Sequence, residues 1–183
     1  MNIGRYTLPF FPMRPITGRR ITPENVAEFW NSVIQRDEHI VQRKLNGDRA
    51  LMCVNDEVKV ANRYGRWLGH PVINKDLFAQ LPAETLLDGE VYERKFWPFE
   101  ALIVGGASFM QDGPEKREEV AIELCELLHV DWIFGGITLE WLNLLDQNCP
   151  MWEGVVLKRR GSPYLPVGSA TQESSSWMKR KWI

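Results

Sequence analysis

Apolar residues recur at helical spacing in two long stretches of this chain and in short strand-like runs elsewhere. In residues 22–35, Thr22-Pro23 reads as an N-cap followed by proline at the first helical position, with Val26, Phe29, Trp30 and Val33 on one face. Residues 114–129 form the clearest helical pattern, with Val120, Leu124, Leu127 and Leu128 as the predicted buried stripe. A third helix is expected over 138–146, capped by Thr138. Strands are expected at 39–43, 85–92, 96–104, 130–134 and 152–159. The runs 50–54 and 58–61 flank Asn55-Asp56-Glu57, a hairpin signal. Gly105-Gly106 closes the strand that precedes it. Residues 1–20 read as an extended lead-in, and 161–176 as a loop rich in Pro, Gly and Ser. The pattern predicts an antiparallel-rich α+β fold in which helices pack on sheets.

Composition changes this picture little. With 183 residues the chain suits a single domain, able to bury about two-thirds of its unfolded surface. A formal net charge of −2 gives no global sign of a nucleic-acid binder. Distribution says more, because Lys158, Arg159, Arg160, Lys179, Arg180 and Lys181 crowd the C-terminal end. A run of that kind standing alone is a solvated basic face as often as a binding site. Cys53, Cys125 and Cys149 lie far apart without metal-type spacing, which predicts a reducing compartment and no disulfide framework. Cys53 and Cys125 fall in apolar patterns and are expected in the core. His39, His70 and His129 are dispersed, which argues against a zinc site. No apolar run is long enough to span a bilayer and no secretion signal is evident, so a cytoplasmic (or host-cytoplasmic) protein is expected.

Candidate chemistry centres on Lys44, in Gln42-Arg43-Lys44-Leu45-Asn46-Gly47-Asp48-Arg49. A lone lysine before a glycine turn is usually a surface charge. The order of the blocks that follow alters that reading: Asn62-Arg63-Tyr64-Gly65, Leu87-Asp88-Gly89-Glu90, Phe99-Glu100, Glu153-Gly154-Val155-Val156-Leu157-Lys158 and Trp177-Met178-Lys179-Arg180-Lys181. In this order they resemble the motifs of the covalent nucleotidyltransferases, and most closely the ATP-dependent DNA ligases, over roughly residues 42–181. The nucleophile block of that family is Lys-x-Asp-Gly-x-Arg. This chain matches it at Lys44, Gly47 and Arg49 and departs at Asn46. The interval between Glu90 and Phe99 is also shorter than in most family members.

The resemblance implies a single nucleotidyltransferase (adenylylation) domain over 1–183, an α+β, ATP-grasp-like fold of antiparallel sheets flanked by helices. It implies that Lys44 would attack the α-phosphorus of ATP and form lysyl-AMP. A free lysine amine has a pKa of roughly 10.4, so the site must favour its neutral form. Lys179 and Lys181 would help to do so and would neutralise the α-phosphate in the transition state. Glu153 would hold Mg²⁺, with Mn²⁺ as the alternative. Glu90 would bind the ribose hydroxyls, Phe99 would stack on adenine, and Gln42 would contact the adenine edge. Arg49 and Arg63 would contact the AMP and the 5′-phosphate of the substrate. The implied substrate is nicked duplex DNA, in repair or replication. RNA ligases and capping-type nucleotidyltransferases share the lysine chemistry, and a degenerate nucleic-acid-binding module is the non-enzymatic alternative. The family's OB-fold domain does not fit in the two residues after Lys181, so the expectation is either an isolated catalytic domain of a longer protein or a naturally minimal enzyme completed by a partner in trans.

Overall fold

The computed structural model describes residues 2–3, 6–133, 135, 137–143, 150–169 and 171–182. A short hairpin of β1 (Asn2–Ile3) and β2 (Tyr6–Thr7) precedes β3 (Pro15–Thr17). Helix α1 (Val26–Phe29) runs into a π-helical turn, Trp30–Ile34. Then come β4 (His39–Leu45), β5 (Asp48–Val54) and β6 (Val58–Asn62). A 3₁₀ turn, Lys75–Gln80, leads to β7 (Thr85–Tyr92), β8 (Lys95–Val104) and β9 (Ala107–Ser108). Helices α2 (Pro114–Leu128) and α3 (Leu139–Asn143) precede β10 (Trp152–Arg159) and β11 (Ser174–Lys181).

The strands form two main sheets, one of four in the order β3-β11-β10-β4 and one of five in the order β6-β5-β7-β8-β9. The chain crosses between them at Asn46-Gly47, from the end of β4 to the start of β5. Glycine is required there, because a Cβ on Gly47 would lie 2.8 Å from the Val91 carbonyl oxygen.

Strand alternation sorts the side chains into layers. Leu51 and Cys53 of β5 point between the sheets and pack with Leu45, Leu86, Phe99 and Trp177. Ala50, Met52 and Val54 point the other way, onto Val120, Ala121, Cys125 and Leu128 of α2. Val155 and Leu157 of β10 leave the four-stranded sheet on its outer face and meet Val26 and Phe29 of α1 and Leu142 of α3. The result is helix, sheet, sheet, helix, with the apolar layer between the sheets running up to a cleft.

Several expectations need correction. The first helix starts at Val26 rather than Thr22. Asn25 Oδ1 accepts the Thr22 N–H at 3.0 Å, so residues 22–25 form a turn, and α-helical geometry gives way to the π-turn after Phe29. Leu127 is 71% exposed, because the buried stripe of α2 runs through Arg117, Val120, Ala121, Cys125 and Leu128. Two positions beyond Cys125, a helix has turned about 200° and faces away. No strand forms among the described residues of 130–134. Val130 and Ile133 are buried, and the Ile133 N–H bonds the Pro98 carbonyl at 2.8 Å; Phe134 lies outside the described residues. Thr138 does cap α3, accepting the Trp141 N–H at 3.0 Å, while 144–146 and Cys149 lie outside the described residues. Ser174 to Ser176 belong to β11, so the loop is shorter than expected. The lead-in is built into the fold: Ile3, Leu8 and Met13 are buried, and β3 pairs in parallel with β11.

Candidate active site

Lys44 lies near the end of β4, beside β10, and the ladder register places both Lys44 and Lys181 opposite Gly154, one on each side of β10. Glu153 Oε1 accepts a hydrogen bond from Lys44 Nζ, and Oε2 accepts one from Lys181 Nζ at 2.6 Å. Gly154 makes the close approach possible, since a Cβ there would fall 2.1 Å from the Arg180 carbonyl oxygen. Lys179 is two residues before Lys181 on β11, so both project to the same face. Lys44 and Lys179 line a cleft that opens between the two sheets.

The five-stranded sheet supplies the opposite wall. Arg49 is paired with Glu90 across the β5–β7 ladder, and the Arg63 N–H bonds the Arg49 carbonyl at 3.1 Å. Arg49, Arg63, Glu90 and Phe99 all line the cleft, as does Gln42. Of the nine predicted site residues, Gln42, Lys44, Arg49, Arg63, Glu90, Phe99 and Lys179 therefore meet at one cavity. Glu153 and Lys181 are not among the residues lining it and are joined to it through the Lys44 ion pair. Asn46 is exposed at the crossover, where its side-chain amide donates to the Pro150 carbonyl at 3.3 Å.

A layer of buried charge supports these residues, and sequence reading assigned it no role. Asp88 receives two hydrogen bonds from the Arg49 guanidinium, one from Nε at 2.6 Å, and a third from the Tyr164 hydroxyl at 2.6 Å. Glu100 accepts from Lys158 Nζ at 2.7 Å and from Arg117 Nε at 2.9 Å, and all three side chains are buried. Phe99 sits within this layer, with Lys158 Nζ 4.3 Å and the Arg49 guanidinium 4.7 Å from its ring centroid. Gln42 Nε2 donates to the Phe99 carbonyl at 3.2 Å. The acidic residues of β7 and β8 carry a visible signal, since Asp88, Glu90 and Glu100 interrupt otherwise apolar strands. Tyr164 carries none, lying in a loop remote in sequence.

Two carboxylates in the region have opposite electrostatics. Burial pushes Glu90 up to about 7, although Lys44 and Arg49 pull the other way. Its Oε2 is buried without a hydrogen-bond partner among the described residues. For Glu153, burial also disfavours charge, but the hydrogen bonds from Lys181 and Lys44 outweigh it and hold the carboxyl below its usual range. Lys179 is shifted down, chiefly by burial and then by Arg14 and Lys44. Burial likewise lowers Lys158, with Glu100 opposing. The cleft thus combines an amine on a fixed strand, further cations and a buried carboxyl deeper in the wall, with the ionised Glu153 behind the amine at its edge. Such a set can bind a polyphosphate and offer a nucleophile to it.

No family model matches the chain, and no curated protein matches it. Solved structures do. The ligase domain of M. tuberculosis LigD superposes with a TM-score of 0.64 at 19% identity, over 93% of this chain and 59% of that one. Mycobacterial DNA ligase D complexed with ATP and MES gives 0.63 at 19%, over 94% and 60%. The Chlorella virus DNA ligase-adenylate gives 0.54 at 13%, over 92% and 68%. The fold is the one these DNA ligase structures share. At these identities the likeness is one of fold. The chain spans about 60% of the length of the ligase D structures it matches. The expected α+β architecture of antiparallel sheets flanked by helices is therefore correct, and the candidate cleft sits between its two main sheets.

Proposed function

We propose that the chain is the catalytic domain of an ATP-dependent polynucleotide ligase that acts on nicked duplex DNA through a lysyl-AMP intermediate. The observation that carries this reading is Lys44, held by Glu153 on a neighbouring strand, at a cleft also lined by Lys179, Arg49 and Glu90. The neutral amine of Lys44 attacks the α-phosphorus of ATP. The N–P bond forms, the bond to the bridging oxygen breaks, pyrophosphate leaves with the electron pair, and the nitrogen gives up one proton to water. Lys179 and Lys181 offset the charge that builds on the α-phosphate. Holding the amine on a strand rather than a loop supplies the positioning. AMP then passes to a 5′-phosphate held by Arg63 and Arg49, and a 3′-hydroxyl displaces it.

The nucleoside would lie along the second wall. The unpartnered Glu90 Oε2 suits a ribose hydroxyl, which donates a hydrogen bond. Phe99 and Gln42 would contact the adenine. Mg²⁺, or Mn²⁺, would be held by Glu153 together with substrate phosphates, the carboxylate giving up one of its two lysine contacts to the ion, since Mg²⁺ commonly takes one or two carboxylates with phosphate oxygens. Bound there, the cation would supply Lewis-acid polarisation of the phosphoryl oxygens.

Intact mass after exposure to ATP and Mg²⁺ tests the reading. A gain of one AMP, lost in acid and absent in Lys44→Ala, is expected. A label transferred from GTP but not ATP would instead indicate capping-type chemistry. No adduct with either nucleotide overturns the assignment.

A further inference from the structure

Beyond the cleft, the turn after β6 carries two exposed aromatic rings among cations. Tyr64 is 50% exposed and Trp67 36%. From Val58 to Lys75 the chain holds Lys59, Arg63, Arg66 and Lys75 and no acidic residue, against a net charge of −2 for the whole protein. The turn is rigidly built. Asn62 Oδ1 accepts the N–H groups of Tyr64 at 3.0 Å and Arg66 at 3.2 Å, and the Asn62 N–H bonds the Arg66 carbonyl at 2.8 Å. Trp67 then bridges Ala61, and the Leu68 N–H bonds the Val60 carbonyl at 2.7 Å.

Its position relates it to the cleft. Ala61 is opposite Leu51 in the β5–β6 ladder, and Leu51 faces the space between the sheets. Trp67, opposite Ala61, continues that face to the outer edge of the five-stranded sheet. Arg63, in the same turn, lines the cleft itself. Each ring has a cation against it: the Arg63 guanidinium is 4.8 Å from the Tyr64 centroid, and Lys59 Nζ is 5.8 Å from that of Trp67. Lys59 also pairs with Glu57, so its charge is partly spent locally, whereas no acid within the turn offsets Arg66.

We propose that Tyr64 and Trp67 form a stacking platform for unpaired bases of a nucleic-acid strand leaving the cleft past Arg63, with Arg66 and Lys59 against its phosphates. Exposed aromatic rings interleaved with cations are how proteins hold single strands, because every base presents a π-face and every nucleotide a negative charge. A fully paired duplex offers the cations its phosphates but keeps its bases out of reach of the rings. The inference rests on the ligase reading for the direction of the strand, not for its chemistry. It implies that nicks flanked by a few unpaired bases bind better than fully paired nicks.

Fluorescence polarisation of two labelled 5′-phosphorylated nicked duplexes, one fully paired and one with three mismatched bases beside the nick, tests it. The AMP adduct is measured by mass in parallel. The mismatched duplex should bind more tightly to the natural protein. The double variant Tyr64→Ala/Trp67→Ala should lose about tenfold or more on that duplex, with little change on the paired one. Trp67→Phe, which keeps a ring, should retain most of the affinity and guards against a folding defect. Equal affinity for the two duplexes, or an unchanged preference in the double variant, overturns the platform. The two failures separate cleanly: loss of the ligase reading shows as no AMP adduct, and loss of the platform shows only in polarisation.

Discussion

Lys44 and Lys181 share a single carboxylate, Glu153, each bonded to a different oxygen across opposite edges of β10. The arrangement ties the candidate nucleophile to the closing lysine block more than a hundred residues away in sequence. If Glu153 both positions the amine and takes a divalent cation, Glu153→Gln should slow formation of the AMP adduct by roughly a hundredfold. Lys44→Ala should abolish it. Quenched-flow sampling with intact mass reads both, and a Glu153→Gln rate within twofold of the natural one would remove this carboxylate from the chemistry.

Glu90 gives the apo protein a pH signature. Its folded pKa of about 7 exceeds the ordinary value of 4.5, because burial disfavours the charged form. Between these values the folded state holds a proton that the unfolded state has lost, so the stability contribution is greatest below 4.5 and falls as pH rises to about 7. The size is on the order of 3 kcal/mol. Glu153 runs the other way: its lowered pKa contributes stability above its unfolded value that is lost as pH falls. Urea midpoints across this range should therefore be flatter for Glu90→Gln, and higher than the natural protein's at pH 8. ATP binding should weaken in the same variant. Parallel pH profiles for the two proteins would contradict burial as the cause.

Much of the scaffold was legible from pattern. The apolar runs that became β7 and β8 have their expected bounds to within a residue, because strands buried on both faces leave continuous hydrophobic tracts. The 54/58 hairpin and the Thr138 cap followed from local turn chemistry. What pattern could not supply was tertiary. Leu127 looked like core because leucine usually is, but it falls about 200° round the helix from Cys125, while the charged Arg117 is buried by pairing with Glu100. The Asp88–Tyr164 bond joins residues 76 positions apart, with no periodicity to announce it. Seven of the nine candidate residues, named from the order of their sequence blocks, meet at one cleft; that order assigned no role to the buried charges packed beneath them.

The Arg49–Asp88 pair makes that hidden layer measurable. Asp88 is fully buried, and Arg49 nearly so, and burial works against the guanidinium's charge until Asp88 reverses the balance and raises its pKa. Asp88→Ala leaves Arg49 without its carboxylate and the Tyr164 hydroxyl without an acceptor. Removing one partner of a buried pair costs about 3–5 kcal/mol. Chemical denaturation should show a loss of that size, and nucleotide affinity should fall with it as Arg49 leaves the cleft wall. A loss below about 1 kcal/mol would mean the site rearranges at little cost.

Asn46 departs from the family's nucleophile block, and the structure limits what that departure does. The side chain is exposed and donates to the Pro150 carbonyl. Asn46→Asp forfeits this donor, at a cost within about 0.5 kcal/mol, as for other surface changes. It also adds a negative charge two residues from Lys44, which favours the ammonium. Thermal denaturation should barely move, while the pH–rate profile of adduct formation should shift to higher pH. A coincident profile would show that the exposed charge is screened from the amine.

Gly154 tests whether strand spacing, and not only residue identity, makes the site. A methyl group there would sit 2.1 Å from the Arg180 carbonyl oxygen and 2.8 Å from the Lys181 Cα. Both contacts are backbone, so no side chain can swing aside, and β10 and β11 must separate. Overpacking of this kind costs about 1–3 kcal/mol or more. The larger effect should be functional, because separation draws Lys181 away from Glu153 while Lys44, on the other edge of β10, stays paired. Gly154→Ala should therefore form the AMP adduct far more slowly than its stability loss explains, with Lys44, Glu153 and Lys181 all still present. Adduct formation at the natural rate in a folded Gly154→Ala protein would show that the bridge between the two lysines is incidental to the chemistry.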